Sequence, residues 1–178
     1  EQERLDFFRF YAEYVNGRVE LLAGTGCIRY ADTLALSNAV YELGYTPMVI
    51  SPYYFEMDQE KLFVYYDRLA KDVKGDLYLY NFPPRTGHSI APETIRRLID
   101  ANPNIIGLKD SVSTPGHTNI VCRAVEGKHF TVYSGFDDQF LSNIANNGGG
   151  GCIGALSIIV PEIWSSLVKA ANEKDFDR

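Results

Sequence analysis

The feature that most constrains this chain is a beat. Short apolar runs alternate with longer amphipathic stretches, one pair about every 25 to 30 residues. The apolar runs predict strands beginning near Val19 (VELLAG), Tyr45 (YTPMVIS), Asp76 (DLYLYN), Asn104 (NIIGLK), His129 (HFTVYSG) and Gly150 (GGCIGAL). The stretches between them predict helices over Tyr30–Leu43, Asp58–Val73, Ala91–Ala101, Thr118–Glu126, Asp138–Asn146 and Pro161–Asn172. A further helix, Gln2–Val15, has no strand before it, so the chain is expected to open in the middle of a repeat. Strand, helix, strand in strict alternation means parallel pairing, because parallel neighbours need a crossover of a dozen or more residues.

Punctuation agrees with these elements. Gly44 follows Leu43 as a helix stop, and Pro92 stands at a first helical position, where its missing N–H costs nothing. Two α/β architectures fit, an open doubly wound sheet and a closed eight-stranded (β/α)8 barrel. Counting six strands favours the open sheet. Against it, GTG at Gly24–Gly26 leads into CIRYAD and forms neither of the glycine-rich phosphate turns such sheets use.

Composition narrows the partners. A hydrophobic content of 46% over 178 residues gives enough apolar surface for one packed core. The net charge of −6, without any run of Lys or Arg, offers no electrostatic footprint for nucleic acid or anionic membranes. No segment approaches the roughly 18 apolar residues that span a bilayer. Cys27, Cys122 and Cys152 are odd in number and far apart, which predicts a reducing, cytoplasmic setting. His88, His117 and His129 lack metal-ligand spacing and are expected to be surface or structural residues.

Two residues at predicted strand ends carry reactive groups. Lys109 closes the apolar strand NIIGLK, and a lysine held among apolar neighbours tends to lose its proton, leaving an amine able to attack a ketone. The plainer reading is a loop residue paired with Asp110. Tyr80 ends the preceding strand in LYNFPPRTG, and a phenol there can deliver the proton that imine formation requires. Read plainly, it is an edge aromatic before a turn shaped by Pro83 and Pro84.

Together they point further. LYNxPxRTG with GLKDS, its lysine 29 residues beyond the tyrosine, resembles the motif pair of the dihydrodipicolinate synthase and N-acetylneuraminate lyase family of pyruvate-dependent class I aldolases. The resemblance runs through AGTG, SPYYF, YSGFDD, GGCIGALS and PEIW, over nearly the whole chain. It implies a (β/α)8 barrel across residues 1–178, here incomplete, holding strands three to eight of the family barrel. It implies Lys109 as the Schiff-base lysine, Tyr80 as the proton relay, and Tyr54 as the tyrosine that reaches into a neighbouring subunit's site. Arg85 matches the arginine that binds the aldehyde's carboxylate in the synthases. Gly135 lies in a pocket-lining loop, and Ile153 lies beside bound pyruvate. No cofactor or metal is implied beyond the covalent imine on Lys109. The implied partners are a 2-keto acid, an aldehyde, and further copies of the chain in a dimer or tetramer.

The chain also departs from the family pattern. The Gly-Thr/Ser-Thr-Gly-Glu loop that holds the pyruvate carboxylate has no counterpart in the sequence, nor do the helices that usually follow the barrel. The 178 residues are therefore expected to be a fragment, inactive by itself; turnover by the purified chain would refute that. Arg85 favours the synthase branch, whereas Phe82, Asp110 and Phe136 resemble 2-keto-3-deoxygluconate aldolases, and Ile28 stands where feedback-sensitive synthases carry asparagine. The sugar-acid aldolase reading leads, followed by the synthase, with N-acetylneuraminate lyase and a non-catalytic 2-keto acid binder behind.

Overall fold

A computed structural model describes residues 2–175. The elements run α1 (Gln2–Val15), β1 (Leu21–Gly24), α2 (Tyr30–Tyr41), β2 (Tyr45–Ile50), α3 (Gln59–Asp72), β3 (Leu77–Asn81), α4 (Pro83–Thr86), α5 (Pro92–Ala101), β4 (Ile105–Asp110), α6 (Pro115–Ala124), β5 (Thr131–Ser134), α7 (Phe140–Ile144), β6 (Gly149–Cys152), α8 (Leu156–Ile159) and α9 (Pro161–Glu173). All six predicted strands form, and every pairing is parallel.

The strands lie in chain order, β1-β2-β3-β4-β5-β6. An open doubly wound sheet must reverse its order at a switch point, and none occurs. The chain is an α/β protein whose parallel sheet curls into a six-stranded partial barrel. The preference from strand counting is thereby corrected.

Alternation along the strands divides the two faces. Val49, Leu79, Leu108 and Val132 pair in one row across β2 to β5, and all four are fully buried against the helices. Leu62, Tyr66 and Leu69 of α3, Ile95 and Leu98 of α5, Val121 of α6 and Val125 at its C-cap belong to the same core. Each fully buried aliphatic side chain here contributes about 1.5–3 kcal/mol. A smaller cluster of Ala23, Leu36, Val40 and Tyr45 holds β1 and β2 to α2, with Leu5, Phe8 and Ala12 of α1 packed against it.

Several boundaries differ from expectation for local reasons. Asp58 is the N-cap of α3, accepting from Lys61 N–H, so the helix proper starts one residue later. Helix α6 begins at Pro115, three residues before the predicted start, with proline in its first turn. The predicted helix over 138–146 is a 3₁₀ turn, Asp137–Gln139, running into the short α7. Strand β6 ends at Cys152, and of the predicted strand residues beyond it Leu156 instead opens α8. Pro83 and Pro84, read as a turn, open the one-turn α4, which Gly87 ends in the left-handed conformation at φ 78°.

Candidate active site

The residues facing away from the helices define the site. Pairing brings Ile50, Tyr80, Lys109, Tyr133 and Gly151 into one row at the C-terminal ends of β2 to β6. That end of a parallel α/β barrel is where its enzymes build their sites. Lys109 is half-buried, with Nζ 4.8 Å from the centroid of the Tyr80 ring. The Tyr80 ring stacks on Phe82 at 5.7 Å, and the Arg85 guanidinium lies 5.8 Å from the Phe82 ring. Amine, phenol, phenyl and guanidinium thus follow one another from the sheet to the rim.

Lys109 is no loop residue paired with Asp110. Alternation turns Asp110 toward the helices, and no ion pair among the described residues involves Lys109. Asp110 is fully buried, and both its oxygens are occupied. Oδ1 accepts from Asn81 Nδ2 at 2.9 Å; Oδ2 accepts from Thr118 Oγ1 and His117 Nδ1, each at 2.9 Å. The bond to Asp110 raises the His117 pKa above its ordinary value, against the opposing effect of burial. His117 is structural, as expected, and His129 is exposed. His88 is bonded to Ser51 at 2.8 Å, tying the loop after β2 to the loop after α4, and burial lowers its pKa.

The other predicted residues stand around this row. Gly135 follows β5 and donates its N–H to the Asp110 carbonyl at 2.8 Å. An added Cβ there would lie 1.8 Å from Ser111 Oγ, 2.8 Å from its Cβ and 3.0 Å from its Cα, so a side chain would force Ser111 to shift. Ile153 extends β6, its N–H donating to the Ser134 carbonyl at 2.8 Å. Tyr54 and Arg85 sit farther out, where they border an open hollow of about 490 Å³ with Glu56, Thr86 and Gly87. Tyr54 is 84% exposed and adopts φ 81°, a left-handed conformation unusual for a bulky side chain. The structure therefore brings Lys109 and Tyr80 together and leaves Tyr54 and Arg85 at the rim.

Two further tyrosines went unread in the sequence. Tyr133 is the direct neighbour of Lys109 in the row, and its ring lies 6.1 Å from that of Tyr78, one row deeper. Burial, then the proximity of Tyr133, pushes the Tyr78 phenol up to about 12. The signal for Tyr133 was its place before Ser134 and Gly135, matching that of Lys109 before Asp110 and Ser111. It was hidden among 12 tyrosines. No group of three or more His, Cys, Asp or Glu among the described residues is arranged to hold a metal, and no described helix is long and apolar enough to cross a membrane.

Comparison with known proteins accords with this geometry. The chain is 35% identical over 177 residues to the putative 2-dehydro-3-deoxy-D-gluconate aldolase YagE of Escherichia coli K12, covering 98% of this chain and 58% of YagE. It is 34% identical over 180 residues to the 4-hydroxy-tetrahydrodipicolinate synthase of Kosmotoga olearia, covering 99% of this chain and 60% of the synthase. The crystal structure of YagE in complex with pyruvate superposes with a TM-score of 0.92 at 34% identity, covering 98% of this chain and 59% of that one. The chain thus spans less than two thirds of the length of these relatives. The model of the dihydrodipicolinate synthetase family matches residues 1–178, end to end, and with the strand order and the Tyr80–Lys109 row this shows that the chain belongs to that family.

Proposed function

We propose that this chain carries the reactive centre of a Schiff-base-forming aldolase that makes or breaks a carbon–carbon bond between pyruvate and an aldehyde, with a 2-keto-3-deoxy sugar acid as the joined compound. The observation that carries the reading is the in-register pair of Tyr80 and Lys109 at the C-terminal end of the sheet, amine over phenol ring.

In this reading the neutral Lys109 amine adds to C2 of pyruvate, giving a carbinolamine. The Tyr80 phenol donates a proton to the departing hydroxyl, water leaves, and a protonated imine remains. The imine withdraws electrons, so a C3 proton is lost and an enamine forms. Its carbon attacks the aldehyde carbonyl, whose oxygen takes up a proton. Addition of water then frees the product and restores the amine; cleavage follows the same steps in reverse. Ile153 and Gly135 border the keto acid in this scheme. No cofactor beyond the imine is invoked.

The finer assignments belong to the same proposal. Residues 1–178 form one partial barrel domain, and the six strands are strands three to eight of the family barrel. The exposed Tyr54, held at positive φ, suits a residue that completes its contacts on another copy, in a dimer or tetramer of a cytoplasmic protein. A second reading, the 4-hydroxy-tetrahydrodipicolinate synthase, is favoured by Arg85, whose cation at the rim can form a charge-assisted bond to a second substrate carboxylate.

Borohydride reduction of the intact protein in the presence of pyruvate tests the shared chemistry. The expected result is a reduced pyruvyl adduct on Lys109, found by peptide mass analysis and absent from Lys109→Arg. An adduct elsewhere, or none, refutes the proposal. Comparing turnover of 2-keto-3-deoxygluconate with condensation of pyruvate and aspartate semialdehyde then separates the two readings.

A further inference from the structure

The buried polar row immediately beyond Tyr80 and Lys109 asks for an explanation. Asn81 follows Tyr80, Asp110 follows Lys109, and the two pairs are successive rungs of the same β3–β4 ladder. Tyr80 and Lys109 face the concave side; Asn81 and Asp110 face the helices, 1% and 0% exposed. Two residues earlier the helix-facing rung is Leu79 with Leu108, as a core position should be. A fully buried carboxylate in place of a third apolar pair gives up stability, since replacing such groups by packed hydrophobes is commonly neutral or stabilising.

What Asp110 supplies instead is directional. Its Oδ1 is bonded across the strands to Asn81, and its Oδ2 to Thr118 and His117 on α6. Asn81 Oδ1 in turn accepts from the Ile90 N–H at 3.0 Å, and its amide lies 3.2 Å from Ser89 Oγ, which anchors β3 to the segment entering α5. The next backbone bond, Ser111 N–H to the Asn81 carbonyl at 2.8 Å, continues the ladder past the strand ends. An apolar pair can slide or rotate by fractions of an ångström at little cost. A pair with every donor and acceptor engaged cannot.

We propose that Asn81 and Asp110 are positioning residues: their hydrogen bond, clamped by Thr118 and His117, fixes β3 against β4 where it matters and so holds the Tyr80 phenol at the Lys109 amine. The proposal rests on the reading of Lys109 as the imine-forming group. Neither residue touches substrate, and each acts through the residue before it.

An exchange of the two side chains tests this. Asn81→Asp alone sets two carboxylates against each other. With Asp110→Asn added, the carboxylate, now on β3, accepts from the amide, now on β4, and from Ile90 N–H. The carbonyl oxygen of that amide accepts from Thr118 and His117, and the Ser89 hydroxyl, which accepted from the Asn81 amide, donates to the new carboxylate instead, so the contacts are restored with the charge moved by one strand. Asn81→Ala deletes the same bond without adding charge and serves if Asn81→Asp does not fold. The measurement, made in the intact protein, is the rate of borohydride-trappable imine at Lys109 as a function of pyruvate concentration. The single variant should slow the saturated rate on the order of 10–100-fold, as small misplacements of reacting groups do, with the half-saturating concentration little changed; the exchange should restore the rate. A second readout does not depend on pyruvate. The ¹³C-methyl signal of reductively methylated Lys109 should show the upfield shift of a group over the Tyr80 ring, lose it in the single variant and regain it in the exchange. If pyruvate leaves no adduct on the intact parent protein, the aldolase reading fails while this signal still decides the positioning. A folded single variant with unchanged signal, or an exchange variant that recovers thermal stability but not the signal, overturns the proposal.

Discussion

Replacing Gly135 by alanine is a demanding test of how closely β4 and β5 approach beside Lys109. A Cβ on Gly135 would meet Ser111 at three atoms: Oγ at 1.8 Å, Cβ at 2.8 Å and Cα at 3.0 Å. Ser111 Oγ can rotate away, but Cβ and Cα move only with the backbone. That backbone is held on both sides, by Ser111 N–H to the Asn81 carbonyl and by Gly135 N–H to the Asp110 carbonyl, each at 2.8 Å. Relief therefore means lengthening a ladder bond or displacing the loop after β5, at an overpacking cost of about 1–3 kcal/mol. For a chain of this length each kcal/mol lowers the thermal midpoint by about 2–4 °C. Thermal unfolding followed by circular dichroism measures it. Gly116→Ala is the control: nothing lies within 4 Å of its added Cβ, it stands in the first turn of α6, and alanine there should be neutral or stabilising by up to about 1 kcal/mol. An unchanged midpoint for Gly135→Ala, or an equal loss for both variants, would refute the close-approach argument.

Two further outcomes are expected. Tyr66 is fully buried and donates to the Val49 carbonyl at 3.0 Å, so Tyr66→Phe should lower the unfolding free energy by about 1–2 kcal/mol in urea titrations; no loss would mean that this bond contributes nothing. The bond to Asp110 raises the pKa of His117 above 6.5 in the folded chain. The stability it contributes is full below about pH 6.5 and declines as pH rises through the folded-state value. The stability gap between the parent and His117→Gln should therefore be widest in mild acid and close in alkali, and a gap that does not vary with pH contradicts this assignment.

How much of this was legible in the sequence depended on range. Strands and long helices rest on periodicity within one segment, so all six strands and the long helices were readable. The short α4 and α8 were not, since four residues carry no period. Lys109 and Tyr80 were readable because each ends an apolar run in a distinctive motif. Tyr133 and the Asn81–Asp110 pair were not, because they depend on which residue stands opposite which. That register includes an irregularity between Leu77 and Tyr78, where β4 advances by one extra residue. No local pattern encodes such a step. His117 was missed as the partner of Asp110 because the predicted helix began one residue after it.

The strand order carries a consequence for how the molecule assembles. Each strand pairs only with those one βα unit away, so no strand pairing needs to close a loop much longer than a single crossover. The entropy of bringing distant segments together, which slows most sheet proteins, is met here in small equal steps. A chain leaving the ribosome can add each new strand to an edge already formed, so the sheet grows in the direction of synthesis. Lys109 meets Tyr80 when β4 joins, and its row is completed last, when β6 brings Gly151 beside Tyr133.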